Sequence, residues 1–262
     1  MRIEIDVTKT AQQNAEEYYK KGKKLVQKKE GAERTIKQLE KRLAAVEAAQ
    51  VAVSAVTVTK IQQKEWYEKF HWFFATDNHI VIAGRDAHQN ELLNSKYFED
   101  KDLFFHANIF GAPVTILKDG VAADKSDREE VAQFAACYSS AWKEGLRTVD
   151  VYAMRRAQVS KSTSKGSLGT GSFLLSGERE WYRNTPLVLI VGVIEEKLLA
   201  FPALAMERIL KAHPAMKYVR IIQGKEKKSD AAKTIAKLLG YKDLDAIIRE
   251  LPAGNFKIDR PF

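Results

Sequence analysis

The stretch RRAQVSKSTSKGSLGTGSF, residues 155–173, is basic, rich in glycine and small polar residues, and lies between two apolar runs. It contains no acidic residue and too few apolar ones to build a core. Its backbone N–H groups, together with Arg155, Arg156, Lys161 and Lys165, are suited to phosphates or carboxylates. A flexible linker has the same composition, so the stretch by itself leaves both interpretations open.

The segments on both sides of this stretch predict a compact mixed α/β domain at 64–262 with a mostly antiparallel sheet. Short apolar runs bounded by turn signals predict strands, and segments of 3.6-residue periodicity predict helices. Strands are expected in residues 68–74, 79–84, 102–110, 111–120, 148–154, 171–177, 186–196, 197–204 and 218–223. Helices are expected in residues 85–98 with Asp86 as cap, about 126–145, 203–213, 229–240 capped by Ser229, and 243–251.

The first 63 residues have a different pattern. Apolar or small residues recur at alternating spacings of four and three from Ala11 to Leu25, and the same phase resumes from Ala32 to Val46. Because a hairpin at Gly31 would not preserve this phase, one helix from about Thr10 to the low fifties is favoured, with Thr8 or Thr10 as N-cap. The predicted fold class is therefore α+β, with a long coiled-coil-type helix in 1–63; a helical hairpin is the alternative.

Composition narrows the functional classes. The 262 residues carry a formal net charge of +9, which favours polyanionic partners. One cysteine, Cys137, excludes an internal disulfide and a cysteine metal cluster, and it is predicted to be a buried small apolar residue. The five histidines form no metal-ligand motif, so no metal and no cofactor is expected. The sequence contains neither an apolar run long enough for a membrane span nor a signal-peptide core, which predicts a cytoplasmic protein with no membrane partner.

Two kinds of residue leave alternatives open. His106 lies between bulky strand residues and a glycine bend, where a buried, hydrogen-bonded histidine and a functional one are equally favoured. The four tryptophans are expected mostly in the core, although one or two could stack on bases.

Four segments in this order, residues 66–93, 101–120, 129–142 and 151–180, resemble the RNA-binding R domain of the NFACT family. These are ribosome-quality-control factors, once called fibronectin-binding-like, that act on large ribosomal subunits with peptidyl-tRNA. Residues 221–240 and 247–258 are similar to archaeal members, and residues 3–24 resemble the start of the second helix of the family's antiparallel coiled coil. The family's N-terminal domain and first coiled-coil helix are not in this sequence, so the chain is expected to be either a piece of a longer protein or the product of a split gene.

The resemblance can be carried over residue by residue. The family's glycine-arginine and asparagine positions correspond to Gly84, Arg85 and Asn90. Its aspartate-histidine-glycine pattern corresponds to Asp102, His106 and Gly111, and the basic residue that closes the next strand corresponds to Lys118. Its QVSK element corresponds to Gln158, Val159, Ser160 and Lys161. The sequence departs from the family at Asn108 and Phe110, where aspartate and histidine or proline are usual. By their chemistry, the residues expected to contact phosphates are Arg85, Lys118, Arg155, Arg156, Lys161 and Lys165, and those expected to bond ribose or base are His106 and Gln158. Turn and cap roles are expected for Gly84, Asn90, Asp102 and Gly111.

The resemblance implies a non-catalytic RNA-binding fragment that engages tRNA or rRNA on the large ribosomal subunit. Its helix would pair with the absent N-terminal half or with a second copy. A protein-interaction scaffold, in which the helix is the functional part, is the second hypothesis. An enzymatic site of His106 with Asp102 or Gln158 is a third; it lacks a nucleophile, a metal set and a carboxylate pair.

Overall fold

The computed structural model describes residues 4–53, 65–163 and 166–259. The chain forms two compact units, Met1–Gln63 and Lys64–Phe262. Lys165 lies outside the described residues. No helix in the described ranges is long and apolar enough to cross a bilayer.

The described part of the first unit, residues 4–53, contains one long helix, as the heptad phase predicts. Helix α1 (Ala11–Val53) has 43 residues, which corresponds to about 65 Å. Thr10 is its N-cap: its hydroxyl accepts from the Gln13 N–H at 3.3 Å, and the Gln13 side chain accepts from the Thr10 N–H at 2.9 Å. The prediction of one long helix is confirmed, and a hairpin turning at Gly31 is wrong.

The second unit contains two antiparallel sheets. The larger has six strands in the order β1-β2-β4-β3-β5-β10, and the smaller has four in the order β12-β11-β13-β14. Of two short ladders, β7 with β8 lies in the basic stretch, and β6 with β9 joins the stretch to the residues directly after it. The strands are β1 (His71–Phe74), β2 (Ile80–Ala83), β3 (Leu103–Ala107), β4 (Thr115–Leu117), β5 (Thr148–Arg155), β6 (Val159–Ser160), β7 (Ser162–Thr163), β8 (Gly166–Ser167), β9 (Leu174–Leu175), β10 (Glu180–Pro186), β11 (Leu189–Ile194), β12 (Lys197–Pro202), β13 (Lys217–Glu226) and β14 (Phe256–Asp259).

Among the described residues, six α-helices accompany these sheets: α2 (Ala87–Leu92), α3 (Lys125–Cys137), α4 (Ser140–Lys143), α5 (Met206–Ala212), α6 (Lys228–Leu239) and α7 (Leu244–Glu250). Asp86 caps α2 as predicted, accepting from the Gln89 N–H at 2.8 Å. The single helix expected at about 126–145 is wrong, because Ser139 begins a new helix by accepting from the Ala141 N–H. Ser229 is not the cap of α6; Lys227 precedes that helix.

Two apolar clusters lie on opposite faces of the six-stranded sheet. The larger contains α3, the smaller sheet and helices α6 and α7, and it includes the buried Cys137 and Trp142. The smaller cluster lies on the other face, where Phe104, Tyr152 and Met154 pack against the residues around α2 and the basic stretch. Side chains alternate between the two faces along β3 and β5. The basic stretch packs on the face that carries the smaller cluster.

The α+β class and the antiparallel sheet are confirmed. Strands β10 and β14 are absent from the sequence-based prediction. Strand β10 forms the edge of the larger sheet beside β5. Its residues EWYRNTP are mostly polar and their burial does not alternate, so the period-two signal of a half-buried strand is weak.

Candidate functional site

A row of aromatic rings crosses three adjacent strands of the larger sheet. Tyr152 on β5 lies directly opposite His106 on β3 and Trp181 on β10. The Tyr152 hydroxyl and Nδ1 of His106 are 3.3 Å apart, and the ring centroids of Tyr152 and Trp181 are 5.4 Å apart. The strand register therefore places three flat, partly polar rings on one face of the sheet.

Two exposed arginines lie on this row. The guanidinium of Arg179 is 4.4 Å from the Tyr152 ring centroid and 5.7 Å from that of Trp181. The guanidinium of Arg183 is 3.9 Å from the Trp181 centroid, and it bonds the Asp150 carboxylate at 2.7 Å. Stacking leaves the edges of a guanidinium available as hydrogen-bond donors, so this arginine-aromatic row presents both charge and ring surface. We call these five residues, His106, Tyr152, Arg179, Trp181 and Arg183, the aromatic-arginine row.

A cleft of about 550 Å³ opens at the His106 end of the row. Its walls come from the β3–β4 turn, the segment before α2, and residues 170–173 of the basic stretch. Phe104, His106 and Tyr152 line it. The structure thus brings His106 and the glycine-rich stretch to one cavity, although they are more than 60 residues apart in the sequence.

The basic stretch is anchored to α2 through Glu91. Its carboxylate accepts from the Lys161 ammonium and from the Gly171 N–H at 3.1 Å. Lys161 also donates to the carbonyls of Gly169 at 2.8 Å and Ser172 at 3.4 Å. Gly171 has a φ of +76°, and a Cβ there would lie 3.1 Å from that of Ala87, so this close approach requires glycine. The stretch is an ordered wall of the cleft where it is described.

Replacing Lys161 with alanine is expected to loosen this wall, because it removes the cation that joins Glu91 to two backbone carbonyls. We expect about 1 kcal/mol of lost stability for this partly exposed pair and its bonds. Amide hydrogen exchange should accelerate in residues 166–175 and stay unchanged in α6. Lys96→Ala, which removes an exposed lysine next to the same helix, is the control. Unchanged exchange in residues 166–175 would contradict this role.

Three more residues of the sequence-predicted site lie at the start of the same stretch: Arg155, Arg156 and Gln158. Arg155 is exposed at the end of β5. Arg156 donates to the Val159 carbonyl at 2.8 Å and lies over the Phe98 ring. Gln158 accepts from the Arg155 N–H at 2.8 Å and donates to the Glu178 carbonyl at 2.7 Å, so its amide joins the start of the stretch to the segment that follows it.

Arg85 and Lys118 make extensive contacts within the domain. Arg85 directs four of its five N–H donors inward, to the carbonyls of Lys69, Phe70 and Arg249 and to the Glu250 carboxylate. Lys118 donates to the buried Asp102 carboxylate at 2.6 Å, to the Tyr97 carbonyl at 2.9 Å and to Glu99. Asp102 accepts from two backbone N–H groups, and Gly111, with a φ of +80°, lies in the β3–β4 turn. Asn90 lies within α2 and its side chain accepts from the Val114 N–H.

His71 and Glu250 form a buried pair beside Arg85, with Tyr138 stacked on the imidazole at 3.9 Å. Burial lowers the pKa of His71 from 6.5 to about 4; the Glu250 carboxylate opposes this shift, while the charges of Arg85 and Lys228 add to it. Burial alone would raise the pKa of Glu250, but its bonds from His71 and Arg85 hold that pKa below its usual value.

The low pKa of His71 predicts a loss of stability in weak acid. The unfolded chain binds a proton near pH 6.5 and the folded chain only near pH 4, so the stability is full above pH 6.5 and falls as the pH drops between these values. We expect a loss of roughly 2 kcal/mol from pH 7 to pH 5. Urea unfolding at both pH values should show a smaller difference for His71→Gln than for wild type. The same change at the exposed His88 should leave the difference as it is, and an equal difference in the His71 variant would contradict the assignment.

The chemistry available at the cleft is recognition by hydrogen bonding and stacking. Burial lowers the pKa of His106, partly opposed by the backbone at Ala107 and Ala112, so the ring is neutral at pH 7. Elsewhere, Asp77, His79 and Asp127 lie close enough for a metal ion. In that group the buried Asp127 carboxylate already bonds His79 Nδ1 at 2.8 Å and the Asp77 N–H at 3.1 Å, and so fixes the β1–β2 turn.

A sheet face with aromatic rings, adjoining arginines and a basic loop is typical of sheet-based RNA-binding modules. Residues 69–177 match the family model described as the NFACT protein RNA binding domain. The resemblance to the NFACT family stated from the sequence is therefore confirmed for these residues, which match its RNA-binding domain.

Several known proteins are similar to the chain. It is 37% identical over 206 residues to the archaeal Rqc2 homolog aRqcH of Methanocaldococcus jannaschii, covering 75% of this chain and 30% of that protein. It is 33% identical over 192 residues to the human ribosome quality control complex subunit NEMF, covering 68% of this chain and 17% of NEMF. The chain thus spans less than a third of these relatives. The solved C-terminal part of the fibronectin/fibrinogen-binding protein of Streptococcus suis is 21% identical to the chain, with a TM-score of 0.39. The match covers 67% of this chain and 76% of that one.

Four site residues were not predicted from the sequence: Tyr152, Arg179, Trp181 and Arg183. The signal was present as two arginines flanking two aromatic residues in REWYR, residues 179–183, which overlaps the end of the last of the four NFACT-like segments. Recognising them required strand β10, because only its register places Trp181 beside Tyr152.

Proposed function

We propose that this chain is the RNA-binding part of a cytoplasmic ribosome-associated quality-control factor. In this proposal it binds tRNA or rRNA on large ribosomal subunits that carry stalled peptidyl-tRNA, and it acts by recognition, without catalysis. The match of residues 69–177 to an RNA-binding domain and the similarity to ribosome-quality-control subunits support it.

The observation that carries the proposal is the aromatic-arginine row beside the cleft. RNA is recognised through phosphates, which bind cations, and through unstacked bases, which stack on rings. We propose that the exposed Arg155, Arg179 and Arg183 contact phosphates. His106 is proposed to form a hydrogen bond with a base or a ribose. Of the residues chosen from sequence, Arg156, Gln158 and Lys165 stay proposed contacts in the basic stretch. Arg85, Lys118 and Lys161 have few donors left for phosphate, so we assign them to the support of the site.

Copurification of RNA with the tagged chain tests the proposal. After purification from a ribosome-containing lysate and nuclease trimming, sequencing should recover tRNA or large-subunit rRNA well above an untagged control. A variant with Arg179→Ala and Arg183→Ala should lose most of this RNA. Recovery of neither RNA class, or equal recovery with the variant, would contradict the proposal.

A second candidate function rests on helix α1, whose apolar residues Leu25, Ile36 and Leu39 are exposed. Exposed apolar residues at heptad spacing suit pairing with another helix, either from an NFACT N-terminal half or from a second copy of this chain. Light scattering across a concentration series distinguishes the candidates. A dimer whose RNA affinity is unaffected by the Arg179 and Arg183 substitutions would favour the scaffold function, whereas a strict monomer would count against pairing with a second copy.

A further inference from the structure

Phe110 is 98% exposed at the rim of the cleft, the most exposed large apolar side chain described. Its backbone is nevertheless fixed. The Phe110 carbonyl accepts from the Ser140 hydroxyl at 2.6 Å, and the Asn108 N–H before it donates to the Asp150 carbonyl at 2.7 Å. Gly111, with a φ of +80°, completes the turn. The fold thus holds an aromatic ring in solvent on a well-anchored turn.

The interior of the cleft suits a flat, uncharged group. The half-buried Phe173 supplies ring surface, the buried Phe104 and Tyr152 form the floor, and His106 supplies a neutral imidazole. Among the described residues that line the cleft, the charged side chains are Arg85 and Asp86, and the guanidinium of Arg85 is already bonded within the domain. A phosphate would find little unpaired positive charge here, whereas the arginines of the aromatic-arginine row lie just outside.

We infer that the cleft binds one unstacked nucleobase of single-stranded RNA, with Phe110 as the stacking surface at its entrance. The inference rests on the proposed function and specifies its ligand. The base enters between the β3–β4 turn and the basic stretch, while the flanking phosphates lie near Arg179 and Arg183. A base held in a duplex is stacked and paired, so it cannot enter such a cleft.

Fluorescence anisotropy with the full chain tests this inference on two labelled RNAs of equal length, an unstructured single strand and a fully paired hairpin. The single strand should bind wild type more tightly. Phe110→Ala should weaken single-strand binding about tenfold, the effect of one lost base-stacking contact, and leave hairpin binding unchanged. Phe110→Trp should retain the affinity because it keeps a ring. Leu204→Ala, which removes an exposed apolar side chain outside the cleft, should have no effect.

The outcomes separate this inference from the proposed function. If both RNAs bind but Phe110→Ala changes neither, or weakens both alike, the nucleobase assignment is wrong while RNA binding stands. If neither RNA binds wild type, the proposed function fails first. Adenosine monophosphate serves as a competitor: displacement of the strand at micromolar concentration would show a site for free nucleotides and overturn the single-strand assignment.

Discussion

Replacing Arg179 and Arg183 together by alanine is expected to weaken tRNA binding about 100-fold at low salt. Each guanidinium is exposed and held by ring stacking, so each can make charge-assisted bonds to a phosphate. The loss of two such bonds corresponds to roughly 3 kcal/mol. The slope of log affinity against log salt should fall by about 1.5, because two fewer counterions are released. Anisotropy titrations at several salt concentrations measure both quantities.

The controls for this prediction separate the row from net charge. Lys217→Ala with Arg220→Ala removes two exposed cations from β13 in the smaller sheet and should change the affinity severalfold at most. Arg183→Lys keeps the charge but loses the planar group over Trp181, so we expect a partial loss of affinity and an unchanged slope. Equal losses in the β13 variant and the row variant would show that binding follows net charge, and would refute the row as the contact surface.

Replacing Arg85 by alanine is expected to reduce the free energy of unfolding by about 3 kcal/mol. Its guanidinium is mostly buried and bonds Glu250 at 2.7 Å, the Phe70 carbonyl at 2.8 Å and two further carbonyls. These bonds join the end of α7 to the segment before β1. Without them, the Glu250 carboxylate stays in a mostly buried setting with His71 as its remaining side-chain partner among the described residues, and the carbonyls lose their donors.

Urea unfolding of Arg85→Ala beside wild type at pH 7 measures this loss. Arg155→Ala, at an exposed position on the same domain, should change the free energy of unfolding by no more than about 0.5 kcal/mol. RNA affinity should be little changed at temperatures where the variant remains folded. An unchanged unfolding free energy with a large loss of RNA affinity would instead support the phosphate contact suggested by the sequence.

The sequence predicted the elements whose patterns are local. The heptad phase in residues 11–46 predicted α1. The helix continues through Gly31 because a glycine in an exposed helix reduces stability by only about 1 kcal/mol. Apolar runs predicted the central strands, and Asp86 predicted the start of α2. The edge strand β10 was not predicted from the sequence, because about half of its residues face solvent and its burial does not alternate.

The roles of the cations could not be predicted in the same way. Lys161 meets Glu91 across 70 residues, and Arg85 meets Glu250 across 165. Sequence patterns over a few residues do not indicate such distant pairs. The acceptors of a lysine or arginine side chain can therefore be identified only from the fold. The same reasoning explains Trp181 and Tyr152, whose proximity depends on strand register and not on sequence separation.

Ultraviolet cross-linking of the full chain to tRNA, with mass spectrometry of the joined peptides, tests the central claim most directly. The aromatic-arginine row and the cleft predict nucleotides attached to the peptides that contain Phe110, Tyr152 or Trp181. Cross-links confined to the smaller sheet or to α1, with these three peptides unmodified, would contradict the assignment of this face as the RNA-binding surface.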